Sequence, residues 1–196
     1  MSPLTLTAAQ TVGPFFAIGL TRENRPDSLG NVMAGPATEG QRIRLEGRVL
    51  DGDGEPVPDA MLELWQANAH GRYNHPADER DVPLDASFSG FGRVGTDDDG
   101  SYWFETIKPG RVPGPNGEAQ SPHLVLTIFA RGLLNHAVTR VYFADEPDLE
   151  RDPILRLVPP ARRSTLLARP IEQDGRPVYR LDVVLQGPAE TAFLQL

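Results

Sequence analysis

Between Arg42 and Leu50 every second residue is apolar or glycine: Ile43, Leu45, Gly47 and Val49 fall on one face, and Arg44, Glu46 and Arg48 on the other. A two-residue period suits a half-buried β-strand, because successive side chains of a strand point to opposite faces. The run is closed by Asp51-Gly52-Asp53-Gly54-Glu55-Pro56, a string of residues that favour turns. Similar runs follow at Ala60 to Gln66, Gly92 to Thr96, Ser101 to Thr106, His123 to Ala130, Ala137 to Phe143 and Val178 to Leu185. Glycine and proline number 19 each in 196 residues, and few stretches carry the longer period of a helix. The pattern predicts an all-β fold, a β-sandwich with little helix.

Several details of that sandwich follow from local residue choice. In the second strand, Ala60, Leu62 and Leu64 face one way and Met61, Glu63 and Trp65 the other. The strands at Gly92 to Thr96 and Ser101 to Thr106 read as a hairpin closed by Asp97-Asp98-Asp99-Gly100, since aspartate and glycine tolerate the backbone angles of tight turns. The nearly continuous apolar run His123 to Ala130 reads as a strand buried on both faces. Short helices are placed over Glu146 to Leu149 or Pro160 to Leu167.

Residues 1–40 differ from the sandwich assigned to 41–196. They contain Pro3, Pro14, Pro26, Pro36 and five glycines, without sustained periodicity. The adjacent Phe15 and Phe16 are costly to leave in water, so this irregular N-terminal arm is expected to dock, partly on another subunit.

Bulk properties exclude several function classes. The chain carries 27 acidic and 19 basic side chains, a formal net charge of -8, which argues against a nucleic-acid partner. Its longest apolar run, Phe15 to Leu20, is far shorter than the roughly 20 residues that span a bilayer. The opening Met1-Ser2-Pro3-Leu4-Thr5 lacks the features of a secretory signal, and no cysteine is present, so a soluble, cytoplasmic protein is expected. The four histidines, His70, His75, His123 and His136, show no spacing that assembles three metal donors. Composition alone does not suggest iron.

Three longer segments do. Glu63-Leu64-Trp65-Gln66-Ala67-Asn68-Ala69-His70-Gly71-Arg72-Tyr73, then Thr106-Ile107-Lys108-Pro109-Gly110-Arg111-Val112, then Pro122-His123-Leu124-Val125 resemble the iron-binding frame of the intradiol ring-cleaving dioxygenases. That family holds ferric iron with two tyrosines and a His-x-His pair. Phenolate suits ferric iron because a hard, highly charged cation prefers anionic oxygen. Here Tyr73 and His123 fall on two of the four positions, while Val112 and Val125 occupy the others. The family also keeps an arginine just before the His-x-His strand, and Gln120 stands there.

The resemblance therefore implies a chain with no metal ligand set and no catalytic residue of its own: an alpha, metal-free subunit beside an iron-bearing beta partner that carries Fe(III). It implies that the complex cleaves protocatechuate with O2 to 3-carboxy-cis,cis-muconate in aromatic catabolism. It further implies substrate-site roles for Thr11, Gly13 and Pro14 in Thr11-Val12-Gly13-Pro14-Phe15-Phe16, and for Arg131 in Phe129-Ala130-Arg131-Gly132-Leu133-Leu134. Glycine permits close backbone approach and proline fixes the loop's shape. The planar guanidinium of Arg131 suits a substrate carboxylate, and equally an ion pair with an acidic residue of either subunit. A self-sufficient intradiol dioxygenase and a transthyretin-like small-molecule binding module remain as alternatives.

Overall fold

The computed structural model describes residues 7–13, 15–21, 30–173 and 176–195; Pro14, expected at the substrate site, lies outside the described residues. Among these the strands are β1 (Arg42–Leu50), β2 (Met61–Trp65), β3 (Phe91–Gly95), β4 (Ser101–Ile107), β5 (Val112–Pro113), β6 (Ala119–Gln120), β7 (His123–Phe129), β8 (Ala137–Phe143), β9 (Leu167–Gln173), β10 (Arg176–Arg180) and β11 (Val183–Val184). In one layer β4 runs antiparallel along β1, whose other edge pairs in parallel with β10 and then β11. In the other layer β3, β2, β7 and β8 pair in that order, all antiparallel. β9 joins the layers, antiparallel to β10 over its length and parallel to β8 at Leu167 and Ala168. The β5–β6 ribbon stands apart.

The alternation of β1 is realised as read: Ile43, Leu45, Gly47 and Val49 are buried, and their neighbours are not. Ile43 and Leu45 meet Tyr102 and Phe104 of β4, and across the sandwich Leu62, Leu64, Leu124, Leu126 and Ile128 of β2 and β7. Each large aliphatic side chain buried here stabilises the fold by about 1.5–3 kcal/mol. Gly47 is required where β1 passes the chain after β10: a Cβ there would lie 1.8 Å from the Leu181 carbonyl oxygen. The Asp51 turn also forms, its carboxylate accepting the Asp53 and Glu55 N–H groups at 2.9 Å.

The hairpin expected across Asp97–Gly100 is not a hairpin. Its turn closes, with the Gly100 N–H on the Asp97 carbonyl at 2.8 Å and the Asp97 N–H on the Ser101 carbonyl at 3.0 Å. The strands then part, β3 pairing with β2 and β4 with β1, so the turn is a corner between layers. Turn residues dictate a local reversal and leave the pairing partner to the core. Burial of β7 differs as well. Leu124, Leu126 and Ile128 are fully buried, whereas Val125, Thr127 and Phe129, on the opposite face, are only half covered.

The helix expected over Pro160–Leu167 appears as α2 (Pro160–Arg163) followed by a 3-10 turn at Ser164–Leu166. The other reading shifts to a 3-10 turn at Leu149–Arg151. β9 was not expected, since it contains Pro170, which lacks an N–H to donate. The run Val178–Leu185 is broken into β10 and β11. In the N-terminal segment, α1 (Phe16–Leu20) is a short helix. Residues 30–33 meet β4 edge-on, with the Met33 N–H on the Glu105 carbonyl at 2.8 Å and the Met33 side chain in the core. No helix among the described residues is long and apolar enough to cross a membrane.

Candidate functional site

The half-covered face of β2, β7 and β8 carries the first cluster. Register places Trp65, Val125 and Arg140 in one row across the three strands, and His123 beside Tyr142 in the adjacent row. The Tyr73 ring stacks on Trp65, with centroids 5.8 Å apart and planes 10° from parallel, and His75 meets Trp65 edge-on. Val112 of β5 pairs with Gln120 of β6, and the Gln120 side chain accepts a hydrogen bond from Arg140. These contacts enclose a cleft of about 790 Å³ lined by Trp65, Tyr73, Arg80, Val112, Pro113 and Gln120. Tyr73 and Val112 thus line the cleft, while Val125 pairs with the lining residue Trp65 and His123 stands one row further along β7.

Two glycines bring the loops together. Gly71 has φ 79, and a Cβ on it would lie 2.0 Å from the Arg111 carbonyl oxygen. A Cβ on Gly110 would sit 2.5 Å from both the Ala69 carbonyl oxygen and the Gly71 nitrogen. The Gly-Arg-Tyr loop and the Lys-Pro-Gly turn therefore pack backbone to backbone, and no side chain could replace hydrogen at either place. Buried Asn68 ties both: its backbone carbonyl accepts the Gly71 and Gly110 N–H groups, at 3.0 and 2.9 Å. Its side-chain oxygen accepts the N–H groups of His70 and Arg72. Asp78 then fixes Tyr73, accepting its N–H at 2.8 Å while paired with Arg80.

Tyr73 and His123 are both held neutral. Burial raises the Tyr73 phenol above its ordinary value, against the opposing charges of Arg140 and Arg80, so it is a phenol near neutral pH. Burial first, then the Arg140 charge, pushes His123 down to about 4. Its Nδ1 lies 2.8 Å from the Ser121 carbonyl, which places the proton on Nδ1. Arg140 is a second cation at this site beside Arg80. It bonds Gln120 and lies 3.4 Å from the Tyr142 hydroxyl, and among the described residues no carboxylate stands within ion-pair distance of it. A guanidinium thus reaches Gln120 from β8. Sequence reading missed it, although a lone arginine in Ala137-Val138-Thr139-Arg140-Val141-Tyr142-Phe143 was a visible signal.

The side chains present do not fit ferric iron. Val112 is buried and Val125 half-buried, and neither aliphatic group offers a lone pair. Of the four positions of the resemblance, Tyr73 and His123 alone supply donors, one oxygen and one nitrogen, where a stable site draws three or four. Arg140 adds a positive charge beside them. No step of an iron reaction is assigned to this cleft.

The second cluster lies at the other end of β7. Met61 pairs with Phe129, and continuing that ladder by two residues sets Asp59 against Arg131. Their side chains meet, Arg131 Nη2 to Asp59 Oδ2 at 2.9 Å and Nε to Oδ1 at 3.3 Å. The adjoining Gly132 N–H donates to Thr11 Oγ1 at 2.8 Å, so the N-terminal segment docks beside this arginine. A Cβ on Gly13 would meet nothing within 4 Å, leaving open space about that backbone. Thr11 and Arg131 are thus brought together, while Tyr73 and His123 belong to the first cluster.

Known proteins resemble the chain along its whole length. It is 45% identical to the protocatechuate 3,4-dioxygenase alpha chain of Burkholderia cepacia over 204 residues, covering 100% of both chains. It is 40% identical to the alpha chain of Pseudomonas putida, covering 95% and 94%. The family model described as Dioxygenase matches residues 12–187. The chain belongs to the intradiol dioxygenase family. A relative of a second kind within it is the protocatechuate 3,4-dioxygenase beta chain of Burkholderia cepacia, 43% identical over 76% of this chain and 66% of its own. Among solved structures, the dioxygenase domain of a dioxygenase carbohydrate-binding protein fusion from Streptomyces sp. SirexAA-E superposes with TM-score 0.63 at 26% identity, covering 95% of this chain and 99% of that one.

Proposed function

We propose that this chain is the iron-free alpha subunit of a cytoplasmic protocatechuate 3,4-dioxygenase, completing the active-site cleft of an iron-bearing beta partner. The substrates are protocatechuate and O2. Both oxygen atoms enter the product as the ring opens between its hydroxyl-bearing carbons, giving 3-carboxy-cis,cis-muconate. Ferric iron, held by the partner, supplies activation of the chelated catechol.

One geometric observation carries this division of labour. The cleft with half a donor set sits at the His123 end of β7, and the anion-binding candidate Arg131 lies beyond its other end. Eight residues at about 3.3 Å each separate the two by roughly 26 Å, too far for one small aromatic acid to touch both. Arg131 and the docked Thr11, with Gly13 two residues further along the chain, then serve a cleft that another chain provides. Full-length likeness to alpha chains, and a separate likeness to a beta chain, support the same reading. In it Thr11, Gly13, Pro14 and Arg131 form a wall that orients the substrate and limits water, and residues 1–40 act as a docking arm on the sandwich of 41–196.

The test is reconstitution. The chain produced alone with ferric iron is expected to be colourless and inactive on protocatechuate, and co-production with an iron-bearing beta chain is expected to yield a coloured, active complex. Turnover by the chain alone would overturn the proposal.

A further inference from the structure

The contact between Arg131 and Asp59 uses only part of the guanidinium. Asp59 takes the side edge, Nε at 3.3 Å and Nη2 at 2.9 Å. The end edge, formed by Nη1 and the second hydrogen of Nη2, bonds nothing among the described residues. The Arg131 and Asp59 side chains are 55% and 39% exposed, so the free edge belongs to a group open to solvent. Asp59 itself stands at φ 58, a left-handed conformation that aspartate and asparagine tolerate better than most residues. That turn delivers its carboxylate to the arginine just before β2 begins.

We propose that Asp59 is a positioning residue: it grips the side edge of the Arg131 guanidinium so that the end edge is presented to the substrate's carboxylate. This rests on the substrate role of Arg131 proposed above. A long arginine side chain free to rotate would lose conformational entropy on meeting an anion. With Nε and Nη2 already bonded, that loss is taken at folding, and the planar fork keeps a geometry suited to two parallel bonds to a carboxylate. Asp59 thereby favours ring acids over plain catechols without touching the substrate.

The experiment compares Asp59→Asn, Arg131→Ala and the double variant in the complex assembled with the iron-bearing partner. Asparagine keeps the tolerance for left-handed φ, so folding and assembly are preserved. With protocatechuate, Asp59→Asn is expected to raise KM about 3-fold with kcat unchanged, as fits an exposed ion pair. With catechol, which lacks the carboxylate, KM should not move. In the Arg131→Ala background the Asp59 substitution should add nothing. Asp59→Glu should restore most of the loss. An unchanged or lowered KM in Asp59→Asn, an equal shift with catechol, or full additivity with Arg131→Ala would each overturn the inference while leaving Arg131 its role. If Arg131→Ala itself leaves KM unaltered, the underlying reading of Arg131 fails, and the inference with it.

Discussion

His123 and Arg131 stand at opposite ends of one strand, the first opening β7 and the second two residues past its end at Phe129. One end holds Tyr73 and His123 beside the valines Val112 and Val125, and the other holds the Arg131 guanidinium, paired with Asp59 and next to the docked Thr11. The separation makes the two ends independently testable.

At the Arg131 end, Arg131→Ala in the assembled enzyme should raise the KM for protocatechuate about 10-fold, the low end of what loss of a charged hydrogen bond of ~1.5–3 kcal/mol produces. Steady-state kinetics at several substrate concentrations separate this from a fall in kcat. An unchanged KM reassigns Arg131 to its ion pair with Asp59 alone.

At the His123 end, Tyr73→Phe should leave the iron content of the complex and its kinetics unaltered. The Tyr73 hydroxyl makes no hydrogen bond among the described residues, and its ring stacking on Trp65 survives in phenylalanine. A drop in iron per complex, read by metal analysis, would give this phenol a role in the metal site.

His123 predicts a pH effect. Its folded pKa of about 4 lies below the ordinary 6.5, so the unfolded chain binds the extra proton first. This neutral imidazole's stabilising contribution is present in full above pH 6.5 and is lost progressively as pH falls toward 4. The shift corresponds to about 3 kcal/mol. Urea unfolding of the chain between those limits should show stability falling more steeply for the native sequence than for His123→Asn. Parallel curves would contradict it.

The backbone contact between the two motif loops predicts a stability effect with no side chain removed. Gly110→Ala places a carbon against the Ala69 carbonyl and the Gly71 nitrogen and should cost about 3 kcal/mol or more. Gly54→Ala, at a positive φ with open space around it, should cost less, and the comparison isolates the close approach from the backbone angle. Denaturant midpoints of the two variants decide it.

The alternation in Ile43, Leu45, Gly47 and Val49 was legible because its period is a direct consequence of strand geometry and one buried face. Pairing was less so. Asp97–Gly100 announces a reversal, yet whether β3 and β4 pair depends on which layer each apolar face must cover, and that is decided by β1 and β2 far away in the chain. β9 was hidden by Pro170. At the first cluster the motif positions Tyr73, Val112, His123 and Val125 were readable by likeness, but Arg140 and Asn68 were not. Their roles come from register across β7 and β8 and from buried backbone groups needing partners. Asp59 became visible only once the β2–β7 ladder fixed what stood opposite Arg131.

In the proposed division of labour this chain carries no iron of its own within an iron enzyme. The most direct measurement is iron per chain, together with visible absorption, for the chain purified alone and for the complex with its beta partner. A colourless, iron-free chain is expected, with a coloured complex whose iron matches the number of beta chains. Iron bound stoichiometrically by the isolated chain, with a tyrosinate absorption band, would contradict it.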